Sequence, residues 1–169
     1  MAEQAQSQKD RIEKRCADEA KNPFSRMDSA HHAARQQGLQ ILQKAAGLTT
    51  VEWRVLWDLH EAGPMTIRDL ARIQRSDPSL ISRALPAMER KKFVRMRRGE
   101  RDGREVVVEL DNDGRTAYAA ASPAMKRRRA ALRSQFPKAE LATLVDLLTR
   151  LEYAMRTPVD EINEVEVTR

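Results

Sequence analysis

The sequence predicts a mainly α-helical protein with one small β-hairpin, and three observations carry that prediction. Charged residues make up 33% of the 169 residues and aromatic ones only 4%, a balance that suits a highly solvated helical chain. Apolar side chains recur at helical spacing through most of the sequence. Strand alternation stands out at Val106, Val108 and Leu110, with glycines just before it at 99 and 103.

Taken from the start, residues 1–23 mix both charge signs, hold few apolar side chains and end at Asn22-Pro23. They predict an N-terminal arm, mobile or loosely helical. A first long helix is expected over 25–46, with Met27, Ala30, Ala34, Ile41 and Leu42 on its apolar side. Gly47 ends it, and Thr49 or Thr50 caps the next. There Trp53, Leu56, Trp57 and His60 share one face, widened by Val55 and Leu59. Ala62-Gly63-Pro64 then breaks the chain.

Thr66 and Asp69 have the spacing of a capping box, and Ile67, Leu70, Ala71 and Ile73 follow at helical intervals. Gln74 to Ser76 form a short turn. Asp77-Pro78 opens a second helix with a side-chain cap and a ring already set at helical φ. Ile81, Ala84, Leu85 and Met88 make one buried stripe, and Ser79, Ser82 and Arg83 fall away from it. Two short helices joined by a tight turn define a helix-turn-helix. Phe93 to Arg97 can pair with Val106 to Leu110 across a glycine-containing turn, which adds a wing directly after the second helix. Pro86 lies inside that helix, where the missing amide predicts a bend or an early end. Past the wing, Asp111 caps a long helix over 112–133 that Pro123 should kink. Pro137 opens a last helix whose stripe of Leu141, Leu144, Val145, Leu148 and Leu151 is too apolar for a lone exposed helix. An acidic tail, expected to be extended, closes the chain.

Charge is concentrated in the same place. From Arg83 to Arg104 nine Lys and Arg face three acids, a net of +6, which equals the net charge of the entire chain. That field predicts a polyanionic partner, double-stranded DNA. Ser79, Ser82 and Arg83, with Ser76 and Pro78 beside them, are the candidate base-edge and backbone contacts, and Arg83 can pair bidentately with guanine. Arg97, Arg98 and Arg101 are the candidate wing contacts.

These segments resemble the MarR family of winged-helix transcription regulators. The resemblance rests on GLTTVEWRVLWDLHEAGPMTIRDLA (47–71), DPSLISRALPAME (77–89), RDGREVVVELDNDGR (101–115) and PKAELATLVDLLTRLE (137–152). It covers about residues 27 to 155. It implies a winged helix-turn-helix lobe over 47–111, a helical dimerisation region from 24–46 and 112–155, and a tail over 156–169. It further implies a homodimer on a pseudo-palindromic operator, acting as a repressor and released by a small anionic or phenolic ligand. The wing arginine Arg104, oriented by Asp102, would enter the minor groove, and His31, Arg35 and Trp57 would line the effector pocket. Lys92 stands where the family usually has glycine, so a left-handed helix end is less favourable there. Some members sense oxidants through an N-terminal cysteine, and Cys16 beside Lys14 and Arg15 would need its thiolate favoured to do so; otherwise it is an exposed thiol without a role.

Other classes fit poorly. Three histidines, one cysteine and no glycine-rich phosphate loop assemble no catalytic constellation, so neither an enzyme, a metal site nor a cofactor is expected. No apolar run reaches the ~18 residues of a membrane span, and the N-terminus lacks a signal-peptide core, which predicts a soluble cytoplasmic protein. The alternative is a winged-helix DNA- or protein-binding module with no effector response.

Overall fold

The computed structural model describes residues 2–99 and 105–158. Seven helices and three strands follow in the order α1 (Ala2–Lys21), α2 (Pro23–Ala46), α3 (Thr50–Ala62), β1 (Met65–Thr66), α4 (Ile67–Gln74), α5 (Pro78–Arg90), β2 (Val94–Arg98), β3 (Val106–Leu110), α6 (Asn112–Arg133) and α7 (Lys138–Met155). The chain forms two compact units, Met1–Met125 and Lys126–Arg169. Residues 100–104 of the wing and 159–169, most of the acidic tail, lie outside the described residues.

Local chemistry sets the helix ends. Asn22 caps α2 through its side chain, which accepts from the Phe24 amide at 3.0 Å, and Pro23 occupies the first helical position. Gly47 ends α2 at φ 64°, a left-handed conformation that glycine adopts without strain. At α3 the capping box is complete: the Glu52 amide donates to Thr49 Oγ1 at 3.2 Å, and the Thr49 amide donates to Glu52 Oε2 at 2.8 Å. Thr66 caps α4 in the same manner, accepting from the Asp69 amide at 3.1 Å.

Of the two forms expected for the N-terminal arm, the structure has the helical one: residues 2–21 form a continuous helix, with Arg15 ion-paired to Glu19 and Cys16 exposed. Two other expectations change on contact with the structure. The recognition helix α5 runs through Pro86 to Arg90 instead of ending early. Leu85 and Met88, on either side of that proline, are buried, while Pro86 itself is exposed. Packing of the stripe therefore outweighs the cost of about 3 kcal/mol that a proline carries inside a helix, through the lost bond to Ser82 and the clash of its ring with the preceding turn. Lys92 adopts the left-handed conformation at φ 55° despite its side chain. The two bonds that reverse the chain, Lys92 amide to Glu89 carbonyl at 2.9 Å and Phe93 amide to Met88 carbonyl at 2.9 Å, offset a steric cost of about 1–2 kcal/mol.

The sheet is antiparallel in the order β1-β3-β2, with Val94 opposite Leu110 and Met96 opposite Val108. Met65 pairs with Val108 from the other side. β1 was not expected, because two residues carry no readable alternation. Around this sheet Leu56, Leu70, Ile81, Leu85, Met88, Val94 and Val108 are buried together as the core of the winged lobe. Gly114 lets α6 approach it: a Cβ there would sit 2.0 Å from the Phe93 carbonyl oxygen. Glu52 joins the two ends of the lobe, since its carboxylate also accepts from Lys91 Nζ at 2.7 Å. Burial alone would raise the Glu52 pKa, but the bonds from Lys91 and Thr49 hold it below the ordinary glutamate value.

The second unit is different. α7 has no buried residue, and Leu144, Val145, Leu147 and Leu148 are all exposed. A groove beside them is bordered by Phe136, Leu141, Leu144, Val145 and Leu148.

Candidate nucleic-acid interface

The first two turns of α5 present the polar side chains that the helical spacing singled out. Asp77 Oδ1 accepts from the Ser79 amide at 2.7 Å and so fixes where the helix begins. That bond, a side-chain bond with Ser79 and the nearby Arg83 charge hold the Asp77 carboxyl below its ordinary range. Pro78, Ser79, Ser82 and Arg83 are all exposed. Arg83 folds back along the helix, donating from Nε to the Ser79 carbonyl at 3.0 Å and from Nη2 to Ser79 Oγ at 3.2 Å. Ser82 Oγ donates to the same carbonyl at 3.1 Å. The guanidinium is thus parked on neutral groups, from which a guanine edge or a phosphate can draw it at small cost.

The structure moves one expected contact off this surface. The Ser76 hydroxyl is buried, and it has no hydrogen-bond partner among the described residues. Its amide is committed to the Ala71 carbonyl at 3.1 Å. The left-handed Arg75 before it, at φ 48°, turns the chain so that this side chain points inward.

In the wing, Arg97 and Arg98 are exposed on β2, and the Gly99 amide bonds the Glu105 carbonyl at 2.8 Å where the hairpin narrows. Arg95 is ion-paired with Glu109 at 3.6 Å and Asp111 at 3.7 Å. Glu89 Oε1 accepts from the Met96 amide at 3.0 Å, which ties the wing to the C-terminal end of α5. Arg101, Asp102 and Arg104 lie outside the described residues, so the oriented-arginine expectation has no geometry.

The expected ligand residues divide. His31 and Arg35 border two adjoining cavities of about 340 and 280 Å3, both also touching Thr50. Trp57 lines neither: it stacks on Trp53 with centroids 6.1 Å apart, in a row continued by Tyr118 and His60. The smaller cavity brings in residues that sequence pattern did not single out. Arg54 Nη2 donates to the Gln74 carbonyl at 2.6 Å, and Gln74 Nε2 donates to Asp58 Oδ2 at 2.7 Å. Burial raises the Asp58 pKa, opposed by the Gln74 bond and the Arg54 charge. Helical spacing put Arg54 and Asp58 on one side of α3, but nothing in the sequence names their partner. Among the described residues no three His, Cys, Asp or Glu side chains gather as metal ligands.

A helix-turn-helix with an exposed polar first turn, followed by a basic antiparallel hairpin, defines a winged-helix protein. Residues 48–106, about a third of the chain, match the MarR family model, and the winged helix-turn-helix they form is the fold of that family. No curated protein matches it significantly. Among solved structures it resembles Sco3205, a MarR family transcriptional regulator from Streptomyces coelicolor solved with DNA. That likeness has 19% identity and a TM-score of 0.70, over 81% of this chain and 87% of the other. PcaV, a transcriptional regulator from the same organism solved with its natural ligand, gives 18% and 0.68, over 81% and 96%. A probable transcriptional regulator from Pseudomonas aeruginosa gives 25% and 0.59, over 73% and 95%. For the first two the likeness is one of fold. The solved relatives are regulators rather than enzymes, and among the described residues no helix is long and apolar enough to cross a membrane.

Proposed function

We propose that the protein is a homodimeric, sequence-specific DNA-binding repressor released by a small anionic or aromatic effector. The carrying observation is the Ser79, Ser82 and Arg83 cluster, exposed on the first two turns of α5 beside the basic strand β2. Lys and Arg of the lobe neutralise phosphates and supply most of the affinity, and the α5 cluster meets base edges in the major groove. Pro78 sets the start of the helix, Arg97, Arg98 and Arg101 hold the backbone, and Arg104 with Asp102 enters the minor groove. The exposed apolar face of α7 supports a second copy as its cover. The cavity bordered by His31 and Arg35 supports an anionic effector, and PcaV was solved with a ligand of its own.

Selection of bound duplexes from a random pool tests the first claim. Recovered sites should hold two related half-sites about 10 base pairs apart. Arg83→Ala should relax one base pair in each half-site, whereas Arg104→Ala should lower the salt slope by about one unit and leave base preference intact. Binding of equal strength and salt slope on random DNA would reject sequence-specific regulation.

A further inference from the structure

Glu89, next to the last residue of α5, holds the start of the wing with two different groups. Its backbone carbonyl accepts from the Lys92 amide at 2.9 Å, and its carboxylate Oε1 accepts from the Met96 amide at 3.0 Å. Only residues 91–93 separate α5 from β2. β2 is the outer strand of the β1-β3-β2 sheet, so alternate amides along it point away from β3. The Gly99 amide bonds the Glu105 carbonyl and the Asp111 amide bonds the Phe93 carbonyl, which turns the Arg95 and Arg97 amides toward β3 and the Met96 amide outward. Glu89 receives that outward amide, one residue before Arg97 and two before Arg98. It is also an exposed acid in the most basic stretch of the sequence, on the helix that carries Arg83. A negative charge there opposes the approach of a polyanion, so charge and positioning predict opposite effects of removing it.

We propose that Glu89 is a positioning residue for DNA binding: it locks the wing to the recognition helix, so that α5 and the wing arginines meet one duplex as a single body. The proposal rests on the DNA-binding reading and adds to it the group that sets the spacing of its two surfaces. A wing held at fixed spacing is already ordered in the folded protein. Once α5 is seated, its contact is therefore intramolecular and loses little further freedom. A wing released at Met96 must instead be ordered by the duplex each time it binds. The covalent link does not hold the spacing alone, because Lys92 sits in the left-handed conformation at φ 55°, which a side chain disfavours. What Glu89 adds is bounded by the worth of one exposed hydrogen bond, roughly 3- to 10-fold in affinity.

Glu89→Ala and Glu89→Gln in the full chain test this. Amide exchange of Met96, read by NMR without DNA, should be several-fold faster in Glu89→Ala and stay slow in Glu89→Gln, whose side-chain oxygen keeps the bond. Alanine suits an exposed helical position, so the fold should survive, and a melting curve checks it. Fluorescence anisotropy on the selected duplex should show Glu89→Ala binding roughly 3- to 10-fold more weakly than wild type, although it removes a negative charge. Glu89→Gln should bind at least as tightly as wild type. Arg98→Ala separates positioning from general damage: it should lose several-fold in the wild-type background and less than about twofold in Glu89→Ala, whereas the loss from Arg83→Ala should be the same in both. If both Glu89 variants tighten binding, the carboxylate acts only through its charge and the proposal is wrong. Equal weakening in the two variants, additive losses with Arg98→Ala, or fast Met96 exchange in the wild type would each overturn it too. Wild-type binding of equal strength on random duplexes would reject sequence specificity alone, because the Glu89 comparison is still read on any duplex.

Discussion

Helices α5 and α7 carry nearly the same apolar pattern and meet opposite environments. In α5, Ile81, Leu85 and Met88 are 0%, 1% and 0% exposed. In α7, Leu144, Val145 and Leu148 are 48%, 64% and 45% exposed. Periodicity states that a face needs cover and is silent about where the cover comes from. For α5 it comes from α3, the sheet and α4 within the same lobe. For α7 it must come from outside its own unit, and a second copy is the cover proposed.

Substitution separates the two faces. Leu148→Asp, placed in the exposed stripe, should leave the lobe folded and abolish the dimer, and sedimentation should fall from about twice 19.3 kDa to 19.3 kDa. A wild-type monomer at micromolar concentration would reject the proposed cover. Leu85→Ala should instead destabilise the lobe by about 3 kcal/mol, through lost burial and a cavity, which chemical denaturation would measure.

Gly114→Ala sharpens the contrast on the lobe side. Its Cβ would be driven against the Phe93 carbonyl, so a loss of about 2–3 kcal/mol is expected with no change in sedimentation. Were stability unchanged, the close approach of α6 would be wrong. A glycine-to-alanine change in a helix ordinarily gains up to about 1 kcal/mol, so the sign itself is diagnostic.

Glu52 gives a smaller, pH-dependent effect. Its pKa in the folded protein lies below the ordinary value, so its contribution is present at neutral pH and fades as the pH falls through the folded value. Glu52→Gln should lower stability by about 1–2 kcal/mol near neutrality, through the weakened cap and the lost Lys91 pair, and the gap from wild type should close in acid. A gap that stays constant with pH would mean the charge contributes nothing. The smallest effect belongs to Asp77→Asn, which keeps a capping oxygen for the Ser79 amide and should change melting least, while removing a negative charge beside Arg83.

Much of the lobe was legible because its signals are local. Thr66 with Asp69, Asp77 with Pro78 and the alternation of Val106, Val108 and Leu110 each act over a few residues, and the structure places all three as expected. The exposure of Ser79, Ser82 and Arg83 followed from the same spacing. Less legible was anything set by competition: Pro86 and Lys92 each oppose the local geometry, and packing of Leu85 and Met88 overrides the first while the bonds to the Glu89 and Met88 carbonyls override the second. Ser76 was placed among the DNA contacts because it precedes the recognition helix, yet the left-handed Arg75 turns its hydroxyl inward.

By itself the sequence determined most of the lobe's elements, the caps that start them and the winged helix-turn-helix order, since caps and periodicity depend on neighbours a turn away. Only the tertiary structure decided which polar groups meet across the chain. Arg54 finds the Gln74 carbonyl 20 positions on, Glu52 finds Lys91 39 positions on, and the Ser76 hydroxyl finds no partner among the described residues. Such pairings follow from where packed helices bring backbone groups together, and a backbone carbonyl carries no residue identity for a sequence to reveal.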